Sequence, residues 1–182
     1  MASSEPVLTV DEAIRRIETD RGLLMQEVDL HSAEALVAPY RMASGPLGDF
    51  CESLRDLVGH VLMWDEINLA VLTEAGLGRA HWSLDPYWET PEAGRQLNRF
   101  GVIAAGQLPV DLLLHRFAVV RDALLAELRG QTGQRWDTDI RLDLDPPRSV
   151  GALTQYVMTV PGTAPYWHAA IHLRRLADVG SA

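Results

Sequence analysis

The sequence predicts an all-α protein built as a four-helix bundle. Two observations carry this: long segments repeat apolar residues at helical spacing, and glycine or proline marks the joins between them. A third is that strand-like alternation is confined to one short stretch, Ile140, Leu142 and Leu144 against Arg141, Asp143 and Asp145.

The first helix begins at Thr9-Val10-Asp11-Glu12, which has the capping-box form of a hydroxyl followed three residues later by an acid. Ile14, Ile17, Leu24 and Val28 continue it at helical spacing. Residues 29–43 are ambiguous, and Gly45, Pro46 and Gly48 mark a loop. A second helix starts at Ser53, with Asp56 three residues on. Its buried stripe is Leu57, Val61, Trp64, Ile67 and Val71, and Gly76 and Gly78 end it. An aromatic loop follows, with His81, Trp82, Tyr87 and Trp88. Thr90-Pro91-Glu92 opens a helical segment to about Ala105. After Gly106 and Pro109 the helix resumes through Leu113, Phe117, Val120, Leu124 and Leu128, and Gly130 and Gly133 close it. Residues 134–147 read as irregular, and Pro146-Pro147 stops the strand-like stretch. Residues 149–160 form a short helix, and Thr163-Ala164-Pro165 starts the last one, to about Val179. Long helices with short or medium links pack as a bundle.

The chain of 182 residues is one domain's length, so residues 1–182 are taken as a single unit. No apolar run approaches the ~20 residues that span a bilayer. The first residues carry neither a basic nor an apolar signal region. Cys51 is the single cysteine, so no intrachain disulfide forms, and a lone thiol fits a reducing cytoplasm. The formal net charge is −9, and the densest basic pair is Arg174-Arg175. That balance leads to an expectation of no nucleic-acid partner and no membrane surface. A small-molecule substrate or a protein partner stays open.

Histidine positions carry the chemistry. His168 and His172 are four apart on the expected last helix, which sets both imidazoles on one face, one turn apart. Helical zinc proteases use this spacing with glutamate directly after the first histidine, but Ala169 stands there. His60 lies between Leu57 and Trp64 at helical spacing and therefore faces inward. A buried imidazole must be paired or ligated. Brought together, the three form a metal site with open positions for water or substrate. The structural alternative is a chance pair on a helix and a hydrogen-bonded core histidine. His31 reads as solvated surface, His115 as a candidate to support a ligand from behind, and His81 as a loop residue that either contacts substrate or does not.

The run Ser53-Leu54-Arg55-Asp56-Leu57-Val58-Gly59-His60-Val61-Leu62-Met63-Trp64 resembles the second-helix signature of DinB-like four-helix-bundle proteins. The stretch from His168 through His172 to Arg174-Arg175 resembles that family's last metal-binding helix. Gln96-Leu97-Asn98, then Gly106-Gln107-Leu108-Pro109-Val110, and the acidic aromatic loop from Trp82 to Glu89 resemble the colibactin self-resistance branch, the ClbS/DfsB group. The resemblance runs over roughly residues 9–178, in short motifs whose order and separation match. It implies a DinB-like bundle with a crossover connection, often a homodimer, and a divalent metal, zinc or nickel, on His60, His168 and His172. Some relatives are thiol-dependent transferases or isomerases that use mycothiol or bacillithiol. Others hydrolyse a strained electrophilic natural product and so protect the producing cell, and some members of that branch lack the full metal triad.

The expected function is therefore a metal-dependent enzyme that acts on a small electrophilic metabolite by hydrolysis or thiol-linked transfer. Thiol transfer also requires a groove for a low-molecular-weight thiol, for which Arg79, Arg95 and Arg99 are candidate contacts. Trp64 is core or the apolar wall of the pocket, and Asn98 is a candidate to orient substrate. Trp82, Tyr87 and Trp88 form a lid or simply pack against neighbouring helices. Asp65 and Glu66 are either a general base or ordinary surface acids. Cys51 precedes a helix, which favours a thiolate, but it has no evident catalytic partner. A non-catalytic sequestering protein and a ligand-free interaction module are the alternative readings.

Overall fold

The computed structural model describes residues 6–42, 50–140 and 148–173. The loop at Gly45, Pro46 and Gly48, the strand positions Leu142 and Leu144, Pro146-Pro147, and the last helix beyond residue 173 lie outside the described residues.

Four long helices make the bundle: α1 (Val10–Asp29), α3 (Leu54–Gly76), α4 (Pro91–Ala105) and α5 (Val110–Arg129). Short helices α2 (Ala33–Leu36), α6 (Gly133–Asp137), α7 (Val150–Val157) and α8 (Ala169–His172) fill the connections. Strands β1 (Asp139–Ile140) and β2 (Arg148–Ser149) pair antiparallel, Asp139 opposite Ser149. The architecture is all-α, as the periodicity predicts.

Local chemistry sets the helix starts. At α3 the capping box is complete: Ser53 accepts from the Asp56 amide, and the Asp56 carboxylate accepts from the Ser53 amide. At α1 only half forms. Thr9 accepts from the Glu12 amide, but the Glu12 carboxylate turns to Arg15 and Arg16, whose hydrogen bonds lower its pKa to about 2. Thr90 and Ser149 cap α4 and α7 in the same way.

Helix α3 is the spine, packing against α4, α5, α7 and α8. Its Leu57, Val58 and Val61 join Leu24, Val28, Leu113 and Phe117 in one core cluster. Ala13, Ile17, Leu72, Leu124, Trp136 and Tyr166 form a second toward the other end. The Arg55 guanidinium donates to the carbonyls of Gly106 and Leu108, tying the start of α3 to the α4–α5 link.

The approach of α3 and α4 requires Gly59. A Cβ there would fall 2.4 Å from the Ala105 Cβ, which is fixed to its own backbone. Against that fixed neighbour the overpacking cost is toward the upper end of about 1–3 kcal/mol and helix propensity returns roughly 1 kcal/mol, so Gly59→Ala is expected to destabilise by about 2 kcal/mol net. Urea unfolding checks this, and a variant as stable as the parent would contradict it.

The last helix starts later than the sequence suggests. Thr163 does not cap it, because its hydroxyl donates to the Val160 carbonyl within a turn. Tyr166 then takes a left-handed backbone, φ 68°, and α8 begins at Ala169. His168 is thus the residue before the helix, not a member of its first turn.

Candidate metal centre

The three histidines converge. His60 comes from the second turn of α3, His168 from the N-cap of α8 and His172 from the end of α8. All three are buried. One ring nitrogen from each lies within 4.8 Å of the others, and the Nε2 atoms of His60 and His168 are 2.9 Å apart. Two nitrogens sharing a tetrahedral zinc at about 2.0–2.1 Å each stand roughly 3.3 Å apart. The His60–His168 spacing is near that of a shared ion, and His172 stands within reach of both. The His60 Nδ1 receives no hydrogen bond from a described residue.

Protonation state fits a ligand role as well. Burial, then the charges of His172 and Arg21, push His60 down to about 3. Burial, then His60, Arg21 and His172, hold His168 well below its ordinary value. Both rings are neutral at pH 7 and present lone pairs. Because these pKa values are depressed on folding, the unfolded chain binds more protons between the two values. In the absence of an ion, stability is therefore expected to fall as pH drops below 6.5, the His60 contribution being lost toward about 3. Urea midpoints at pH 7, 5.5 and 4 measure the slope, and a flat profile would contradict it.

What holds His168 in place is a carboxylate from the opposite end of the chain. Asp20, fully buried on α1, accepts from the amides of His168 (3.0 Å), Ala169 (2.9 Å) and Ala170 (2.9 Å). These are the amides that a helix start leaves without partners, and an anion there also suits the helix dipole. Arg21 bonds Asp20 and both oxygens of Asp65, so a buried Asp20–Arg21–Asp65 network joins α1, α3 and α8. Asp65 is therefore neither a surface acid nor a free base. Glu66 is on the surface and pairs with Arg116 at 2.6 Å.

A cavity of about 370 Å³ opens on the centre. Its wall includes all three histidines, Trp64, Asn68 and Asn98, and the segment from Val157 to Pro161. Trp64 is half-buried and donates from Nε1 to Asn98 Oδ1 at 2.8 Å. Of the residues singled out from the sequence, His60, His168, His172, Trp64 and Asn98 come together here. Asn68 does too, and sequence reading missed it; its place two turns after His60, on the Trp64 stripe, was the available signal.

The other candidates lie elsewhere. His115 is exposed on α5, since it falls off the Leu113–Phe117 stripe. Trp82 and Trp88 do not line the cavity. They stack edge-on at 5.0 Å in a cluster with buried His81 and exposed Tyr87, because two 3₁₀ turns (Trp82–Leu84 and Pro86–Glu89) fold the loop onto itself. Arg79, Arg95 and Arg99 are exposed and absent from the cavity wall. His31 is half-exposed beside Glu27. Cys51 is buried, and burial pushes its thiol up to about 12. That is roughly a thousandfold loss of thiolate against an ordinary cysteine. Ellman's reagent is expected to label Cys51 in the native protein some thousandfold more slowly than in guanidinium, and comparable rates would contradict the burial.

No family model matches the chain, and no curated protein matches it. Solved structures do. An uncharacterised protein from Escherichia coli UTI89 superposes with a TM-score of 0.70 at 17% identity, over 98% of this chain and 97% of that one. The colibactin self-resistance protein ClbS, in complex with a double-stranded DNA, superposes with a TM-score of 0.68 at 17% identity, over 98% of this chain and 99% of that one. The likeness shows a shared fold over 98% of this chain. It also corrects one expectation. The net charge of −9 leads to an expectation of no nucleic-acid partner, yet a protein of this fold is seen with duplex DNA. A net charge sums the whole surface, whereas a duplex contacts one face of it. Among the described residues no helix is long and apolar enough to cross a membrane.

Proposed function

We propose that the chain is a metal-dependent hydrolase of a small electrophilic metabolite, with His60, His168 and His172 as ligands to a divalent ion, zinc or nickel. One observation carries this: three buried histidines present converging ring nitrogens to a largely apolar cavity. An ion held by three neutral ligands keeps its full charge and lowers the pKa of a neighbouring water toward neutrality. The residues of the chain do the rest. Asp20 fixes the backbone that carries His168. Trp64, held by Asn98, and Val157 to Pro161 wall the substrate from bulk water. Among the described residues no arginine lines the cavity, which favours water over a low-molecular-weight thiol as the attacking group. The likeness to ClbS supports a place in self-resistance, with duplex DNA among the partners to be assayed.

The test begins with metal analysis of protein purified without a polyhistidine tag, then zinc or nickel reconstitution. Neutral epoxides and strained lactones are supplied with and without added thiol. Metal-dependent consumption of many equivalents without thiol, lost in His172→Ala, is expected. Consumption that stops at one equivalent would replace the enzyme by a sequestering protein, and failure to bind any ion after reconstitution would remove the metal from the account.

A further inference from the structure

The polar side chains of the cavity wall are unequally engaged. The Trp64 indole N–H is committed to Asn98 Oδ1, and the Thr159 hydroxyl donates to the Gln155 carbonyl. Asn68 differs. It is 2% exposed, lines the cavity, and its Oδ1 accepts no hydrogen bond from any described residue. A buried amide oxygen without a donor costs about 1–3 kcal/mol, and such groups call for a specific explanation.

The rest of the wall narrows what that partner is. Among the described residues no Asp, Glu, Lys or Arg lines the cavity, so away from the histidines a charged group would enter without a counter-ion. Val157, Met158, Val160, Pro161 and Trp64 supply the apolar surface. Asn68 and His60 are two helical turns apart on α3, roughly 12 Å along the axis, so the donor and the reacting atoms belong to opposite ends of one molecule.

We propose that Asn68 is the recognition point of the cavity, and that its ligand is a neutral, largely apolar molecule carrying an N–H or O–H donor, such as a secondary amide or hydroxyl. The donor bonds Asn68 Oδ1 while the electrophilic end faces the histidines. This rests on the reading of the cavity as the substrate site.

Indole and benzofuran test it, since they share a shape and only indole carries an N–H. An apolar wall with no acceptor favours benzofuran, because indole must give up a hydrogen bond to water. The two affinities are measured by ligand-observed NMR on the zinc-reconstituted parent and on Asn68→Leu. The parent is expected to prefer indole, and the indole-to-benzofuran affinity ratio is expected to drop by roughly tenfold in Asn68→Leu, the size of one hydrogen bond to a buried acceptor. A parent that binds the two equally or prefers benzofuran overturns the assignment without any variant, as does a ratio unchanged in Asn68→Leu. Binding of neither probe overturns the cavity reading beneath it, and the proposal with it.

Discussion

Asp20→Ala is expected to destabilise the protein by about 3–5 kcal/mol, the range for removing one member of a buried ion pair. Four donors converge on that carboxylate: the amides of residues 168–170 and the Arg21 guanidinium. Without it Arg21 keeps Asp65, but three buried amides lose their acceptor. No local substitute exists, because α8 has no side-chain cap of its own. Asp20→Asn tests the charge apart from the volume. It keeps one oxygen for His168 and Ala170, and sets an NH2 group against the Ala169 amide and Arg21. It is expected to cost about 2 kcal/mol, between parent and alanine. Urea unfolding followed by circular dichroism reads both variants, and zinc binding is expected to weaken in whichever folds. An Asp20→Ala protein within about 1 kcal/mol of the parent would sink this account, since surface carboxylates behave that way.

His60→Leu separates ligation from packing. Leucine of similar volume removes the unpaired Nδ1, which favours the folded state, and deprives the His168 Nε2 of its neighbour, which opposes it. These are terms of about 1–3 kcal/mol each, so the metal-free variant is expected to match the parent within about 1 kcal/mol. The response to zinc should differ sharply. At a hundredfold excess over the dissociation constant a bound ion stabilises by about 2.7 kcal/mol, and His60→Leu should lose that whole increment. Thermal melts with and without zinc give both numbers. Equal stabilisation of parent and variant would mean that the ion binds elsewhere, and a parent that zinc does not stabilise would dismiss the centre.

Much of this is legible in the sequence because much of it is local. Ser53 and Asp56 announce the start of α3 from three residues apart, and the Leu57–Val61–Trp64 stripe turns His60 inward. His115 could have been set aside on the same rule: two residues after Leu113 it points about 200° away around the helix. What the sequence conceals is contact across the chain. Asp20-Arg21 reads as an ordinary charged pair on a helix, and only its distant partners make it buried structure. Asp65 hides likewise. The start of α8 is not legible locally because Thr163 and Pro165 imitate a cap, whereas the working cap is Asp20. Loop conformation at Trp82 and Trp88 has no periodicity to read, so their distance from the cavity emerges only in three dimensions.

The link between Asp20 and His168 spans 148 residues. That separation gives the centre a place in time. A chain emerging from a ribosome can close the Arg21–Asp65 pair between α1 and α3 while the peptide that Asp20 will cap has yet to be made. Contacts so far apart carry a high loop-closure cost and belong to the late steps of folding. The first histidine is in place early and its two companions arrive last, so an ion captured during synthesis would meet one ligand instead of three. Loading is therefore expected to follow folding, and refolding from urea should recover helical signal before it recovers zinc affinity.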